Sequence, residues 1–117
     1  MFTTDTLTGR TALITGGGSG IGREIAATFA RLGASVMLVG RSKERVDAAA
    51  EEIRLAGGRS AALRCDVREY ADVEAAVRAT VDRFGALDIL VNNAAGNFIS
   101  PTSELSPNGW RTVIDID

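Results

Sequence analysis

The stretch TGGGSGIG, Thr15 to Gly22, follows an apolar run, Thr11 to Ile14, and precedes a helical pattern, Arg23 to Leu32. Five of its eight residues are glycine. Glycine within an element costs roughly 0.5–1 kcal/mol of backbone entropy relative to alanine. A cluster of five therefore implies something that must approach this main chain closely. The spacing Gly16-x-x-x-Gly20-x-Gly22 is not the G-x-G-x-x-G fingerprint, and no G-K-[ST] follows it as in a P-loop.

Working outward, apolar runs and helical patterns alternate. Residues 11–15, 35–40, 60–67 and 87–92 read as strands. Ile21, Ile25, Phe29 and Leu32 repeat at helical spacing up to Gly33. A second helix is expected over 42–55, with Ser42 as N-cap, Val46, Ala49 and Ile53 facing inward, and Gly57-Gly58 as its stop. Val73, Val77, Val81 and Phe84 mark a third helix ended by Gly85. A fourth is expected after Ser106-Pro107, running through Trp110, Val113 and Ile114. Strands alternating with helices predict an α/β fold, a doubly wound parallel sheet of order 3-2-1-4. Ligands then bind at the carboxyl ends of strands 1 and 4, where the winding reverses.

Composition narrows the function. The chain has 117 residues, 45% hydrophobic and 24% charged, with a formal net charge of −2. This suits one small domain, 1–117, and gives no basic footprint for nucleic acid. No apolar run approaches the ~20 residues that span a membrane. The N-terminal decapeptide lacks the regions of a secretory signal, so cytoplasm is the default. One cysteine, Cys65, leaves no internal disulfide to form and points to a reducing compartment. With no histidine, the chain can build neither a Ser-His-Asp triad nor an imidazole metal site, and no metal is expected.

At the switch point, the glycine loop opens a helix whose free N–H groups and dipole favour an anion, here a pyrophosphate. The alternative is a tight turn with no ligand. The end of strand 2 carries Gly40-Arg41-Ser42 rather than the acidic residue that reads a ribose 2′-OH. A guanidinium there suits a 2′-phosphate, so NADP(H) is the expected cofactor, with a solvated arginine as the alternative. Asp66, after strand 3, could accept from an adenine amino group or cap the next helix.

Thr15-Gly-x-x-x-Gly-Ile-Gly22, Asp66-Val67 and the NNAAG of residues 92–96 together resemble the cofactor half of the short-chain dehydrogenase/reductase family. The resemblance implies a Rossmann-type sheet. It puts the diphosphate on Gly16, Gly17, Gly18, Ser19, Gly20 and Ile21, beside the 2′-phosphate site expected at Arg41 and Ser42 from their chemistry. Asp66 and Val67 fall at the adenine, and Asn93 and Ala94 beside its ribose. The run NNAAGNFISP (92–101), with LSPNGW (105–110), is similar to NADPH-dependent 2,4-dienoyl-CoA reductases of fatty acid β-oxidation. That narrower resemblance implies a fatty acyl-CoA substrate, with Asn97 on the thioester oxygen and Arg68, Phe98 and Ser106 toward the substrate. Physical chemistry supports Asn97 separately. Hydride addition to a conjugated thioester places negative charge on the carbonyl oxygen, where a fixed amide donor stabilises it. Asn97 could also be a turn residue bonding its own backbone.

The sequence departs from the family pattern in its chemistry and in its extent. The family's Tyr-x-x-x-Lys pair is absent, since the only tyrosine is Tyr70, the only lysine is Lys43, and Glu74 stands where the lysine would follow. The fold is expected to be truncated after the fourth strand and its helix, incomplete relative to the family, whose full-length members form homo-oligomers. Strand 4 would then be an uncovered apolar edge, making this chain marginal alone and prone to associate. Two further readings stay open: another short-chain reductase, such as one acting on 3-ketoacyl thioesters, and a non-catalytic dinucleotide-binding or assembly fragment.

Overall fold

A computed structural model describes residues 6–93 and 112–115. Strand β1 (Thr11–Thr15) leads into helix α1 (Gly20–Arg31), then β2 (Ser35–Gly40), α2 (Lys43–Leu55), β3 (Arg59–Arg64), α3 (Tyr70–Phe84), β4 (Ile89–Asn92) and β5 (Thr112–Asp115). The five strands form one sheet of order β3-β2-β1-β4-β5. Every pairing is parallel. The 3-2-1-4 winding is therefore present, with β5 added outside β4.

Parallel strands covered on both faces should be apolar at successive positions. β1 is buried along its whole length. Its alternate residues feed two cores. Ala12 and Ile14 join Val36, Leu38, Ile89 and Val91 beneath Ala26 of α1 and Val46, Ala49, Ala50 and Ile53 of α2. On the opposite face Leu13, Met37, Val39 and Leu90 meet Val73, Ala76 and Val77 of α3.

β1 and β4 are fastened at both ends. At the amino end, the Thr11 N–H donates to Oδ2 of buried Asp88 at 2.9 Å, and the Asp88 N–H donates to the Thr11 carbonyl at 2.9 Å. At the carboxyl end, the Asn93 N–H donates to Oγ1 of Thr15 at 2.8 Å. The Thr15 hydroxyl in turn lies 3.3 Å from Asn92 Oδ1 and 3.4 Å from the Val91 carbonyl.

Three expectations are corrected. The apolar stripe of α1 is only in part its buried face: Ile25 and Phe29 pack against the core, but Ile21 is 63% exposed and the buried residues are Gly22 and Ala26. Close approach decides this. A Cβ on Gly22 would stand 2.1 Å from the Gly16 carbonyl oxygen, so the helix turns its smallest residues toward the glycine loop. Strands 3 and 4 are shorter than expected, because Cys65 to Val67 have left the ladder to form a loop and Leu87 and Asp88 precede β4. Residues 112–115 form a strand and not the expected helix. Thr112, Val113 and Ile114 are all β-branched, a composition suited to a sheet, and β4 presents an edge to pair with. The expected bare edge on β4 is therefore covered by Leu90↔Val113 and its neighbours. Ser106, Pro107 and Trp110 of the expected helix lie outside the described residues.

Two outcomes test this packing. Asp88→Ala strands the Thr11 N–H and is expected to cost about 2 kcal/mol. It should lower the urea midpoint without changing m; an unchanged midpoint would contradict the clamp. Gly22→Ala is expected to destabilise by about 1–3 kcal/mol through overpacking, whereas an unshifted midpoint would show that α1 can retreat freely.

Candidate functional site: a cleft at the carboxyl edge of the sheet

Three loops, at the carboxyl ends of β1, β2 and β3, meet with Asn93 after β4 around a cleft of about 640 Å³. Their main chains are linked. The Gly17 N–H donates to the Val39 carbonyl at 3.1 Å, and the Cys65 N–H donates to the Gly40 carbonyl at 2.8 Å. The three loops are thus held in one frame by β2.

The β1 loop contributes Gly16, Gly18 and Ser19 to the wall. Gly16 has φ +64°, a left-handed conformation that glycine adopts at little cost. Ser19 is the N-cap of α1, yet its side chain makes no capping hydrogen bond, and no acidic residue occupies the first turn. The first N–H groups of α1 are therefore without a side-chain cap where an anion would sit. Gly20 likewise has a positive φ, +53°, whereas Gly17 and Gly18 serve protein neighbours. A Cβ on Gly17 would lie 2.9 Å from Leu38 Cβ, and one on Gly18 would lie 2.9 Å from Arg45 Cβ. The opening cluster thus has two causes: a turn that bares its main chain, and two neighbouring elements packed against it.

The β2 loop contributes Gly40, Arg41 and Ser42, followed by Arg45 and Val46 on the first turn of α2. Ser42 caps α2, accepting from the Arg45 N–H at 3.3 Å. That cap sets the helix phase and returns Arg45 to the same rim as Arg41. Both arginines are exposed, and neither guanidinium is in an ion pair among the described residues. Lys43, between them, turns away to pair with Asp47 at 2.6 Å.

The β3 loop supplies Cys65, Asp66, Val67 and Arg68. Arg68 grips Asp66 through one edge of its guanidinium: Nε donates to Oδ1 at 3.0 Å and Nη2 to Oδ2 at 2.9 Å. The Arg68 backbone N–H also donates to Oδ1, at 3.0 Å. These bonds, side chain first and backbone second, hold the Asp66 carboxyl well below the usual carboxylate range. Of the two readings for Asp66, the cap of the next helix is not what forms, since α3 has Glu69 at its N-cap. Burial, reinforced by the charges of Asp72 and Asp66, pushes the Cys65 thiol up to about 11. It stays protonated and serves as wall rather than as nucleophile.

The structure thus brings Gly16, Gly18, Ser19, Arg41, Ser42, Asp66, Val67 and Asn93 to one cleft, and places Arg68 there with them. Gly17, Gly20 and Ile21 are not in its wall; Gly20 and Ile21 border a shallow groove along α1. Ala94, Asn97, Phe98 and Ser106 lie outside the described residues. Arg45, Val46, Gly40 and Cys65 complete the wall and are not among the site residues expected from the sequence. The signal for Arg45 was present in its four-residue spacing from Arg41. Tyr70 and Lys43 begin helices that cover opposite faces of the sheet, so they form no local pair. Among the described residues, no helix is long and apolar enough to cross a membrane.

Comparison with known proteins agrees with this arrangement. A 2,4-dienoyl-CoA reductase of Arabidopsis thaliana, named as peroxisomal and (3E)-enoyl-CoA-producing, is 51% identical over 99% of this chain and 39% of its own length. The mouse protein of that name is 47% identical over the whole chain and 40% of its own length. A probable 2,4-dienoyl-CoA reductase of Bacillus subtilis, named as (2E)-enoyl-CoA-producing, is 43% identical over 92% of the chain and 42% of its own length. The chain therefore spans about two fifths of the curated relatives it matches. Among solved structures, a citronellol catabolism dehydrogenase of Pseudomonas aeruginosa PAO1 superposes with a TM-score of 0.77 at 40% identity, covering 93% of this chain and 44% of that one. The C-domain of a bacterial malonyl-CoA reductase, solved with NADP, gives 0.74 at 35% identity over 80% of this chain and 16% of that one. The sequence pattern of the short chain dehydrogenase family matches residues 10–117, and the chain belongs to that family.

Proposed function

We propose that the chain is the dinucleotide-binding domain of an NADPH-dependent reductase acting on 2,4-dienoyl-CoA thioesters. The observation that carries the cofactor choice is the rim at the end of β2. It presents Arg41 and Arg45 around Ser42, and the loop between β2 and α2 holds no carboxylate. A ribose 2′-phosphate would meet two guanidinium groups and a hydroxyl there, whereas a bare 2′-OH would lack the acidic acceptor it uses in NAD sites. The glycine loop fits a diphosphate, because Gly16 bares its backbone beside the uncapped start of α1. Asp66 and Val67 fall at the adenine, and Asn93 and Ala94 beside its ribose.

The acyl-CoA substrate is proposed from the relatives' names together with the NNAAGNF run, Asn92 to Phe98. Bound NADPH supplies a hydride. In the residues of this chain, Asn97 donates its amide N–H to the thioester oxygen and stabilises the negative charge that collects there. Phe98 and Ser106 line the acyl-CoA side. The chain holds no Tyr-x-x-x-Lys pair, so proton delivery is not assigned to it, and these 117 residues alone are expected to turn over no substrate. A homo-oligomer is proposed for the whole protein. Cytoplasm remains the compartment proposed from the sequence, beside the peroxisomal names of the plant and mouse relatives.

Three measurements test the reading. The full-length parent should oxidise NADPH with a 2,4-dienoyl-CoA substrate faster than with a 3-ketoacyl-CoA; the reverse order would favour the 3-ketoacyl reading. Arg41→Ala is expected to weaken NADPH about 10–100-fold, the worth of one charge-assisted contact, while leaving NADH nearly unchanged. Equal losses for both would remove the 2′-phosphate role. In the full-length parent, Asn97→Ala should lower kcat by ~10²–10³ with little change in NADPH affinity; an unchanged kcat would return Asn97 to the role of a turn residue.

A further inference from the structure

We propose that Arg68 is a positioning residue that locks the Asp66 carboxylate, so that the pair selects a purine bearing a 6-amino donor. The inference rests on the cofactor reading above and deepens it at the adenine end of the cleft. The resemblance implies a substrate contact for Arg68. The geometry points to a further task, and one edge of its guanidinium, at Nη1, is not engaged on Asp66.

Acceptor counting carries the inference. A carboxylate has about four lone-pair sites, two on each oxygen. Oδ1 of Asp66 already accepts from Nε and from the backbone N–H of Arg68, both at 3.0 Å. Oδ2 accepts from Nη2 at 2.9 Å. One site is left, on Oδ2. The guanidinium is a planar, rigid fork, so two parallel bonds fix the plane of the carboxylate as well as its charge. A carboxylate with a fixed plane and one open acceptor calls for one N–H donor. The exocyclic amine of adenine is such a donor. The 6-oxo group of hypoxanthine would set acceptor against acceptor at the same place.

An ordinary surface ion pair is the alternative, and the other pairs on this molecule illustrate it. Lys43–Asp47 and Arg54–Glu51 join neighbours on one helix, with both partners well exposed. Asp66 differs, since its side chain is only 12% exposed and it lies in the cleft wall. The low position of its carboxyl accords with a group that accepts hydrogen bonds and does not donate them at working pH.

The test is the ratio of dissociation constants for NADPH and for reduced nicotinamide hypoxanthine dinucleotide phosphate. It is measured by fluorescence titration on the wild-type protein, R68Q and R68K. A general loss of stability would shift both constants together, so the ratio isolates base recognition. Wild type is expected to prefer the adenine form by about tenfold or more, since a site built for a donor rejects an analogue that lacks it. R68Q should bring the ratio within about threefold, and R68K, which keeps the charge without the fork, should fall between. A wild-type preference that R68Q leaves intact would overturn the positioning role while the cofactor reading stands. So would equal binding of the two dinucleotides by the wild type. Failure of the wild type to bind either would overturn the cofactor reading and this inference together.

Discussion

The cleft hangs from the parallel junction of β1 with β4. This is where the winding of the sheet reverses, so the loops that follow the two strands separate and leave a gap. The junction is short: Ala12↔Ile89, Leu13↔Leu90 and Ile14↔Val91. Side chains secure it beyond the ladder. Asp88 holds the first residue of β1, and Thr15 holds the first residue after β4. With the junction fixed, α1 is brought against the glycine loop, and the contact tolerates only hydrogen at Gly22. A longer side chain there would meet both the Gly16 carbonyl and the Asn93 amide, the two loops that flank the gap.

The chemistry of the cleft is divided by loop. The β1 loop offers backbone donors, the β2 loop offers cations, and the β3 loop offers one carboxylate with its own counter-ion. In the proposed function, a diphosphate, a phosphate and a base take these in turn. Stability comes from elsewhere, since the exposed ion pairs of α2 are each worth little. The two apolar cores on either face of the sheet carry the fold. The functional groups can therefore be altered one at a time, apart from the glycines, which belong to the packing as much as to the site.

Much of this was legible in the residues. β1 and β2 were read to their ends because buried parallel strands are continuously apolar. The start of α2 was read because Ser42 has the chemistry of a cap. The failures have physical reasons. Hydrophobic period places the apolar side of α1 correctly but cannot register a close backbone approach, which outranks it and leaves Ile21 in solvent. Val113 and Ile114 satisfy a helical face and a strand alike, and what pairs with the edge of β4 is not a local property. Ser42 and Arg41 were visible as a loop, while the return of Arg45 to the same rim depends on the phase of the helix that Ser42 starts. The grip of Arg68 on a residue two positions earlier needs a turn that no periodicity encodes.

The central claim is that this cleft receives a nicotinamide dinucleotide phosphate along the carboxyl edge of the sheet. The most direct measurement is the set of backbone amide chemical shifts followed through an NADPH titration. The account predicts saturable shifts concentrated at Gly16 to Ser19, Gly40 to Ser42 and Asp66 to Arg68. Shifts confined to residues outside those loops, or no saturable shift at the three of them, would contradict it.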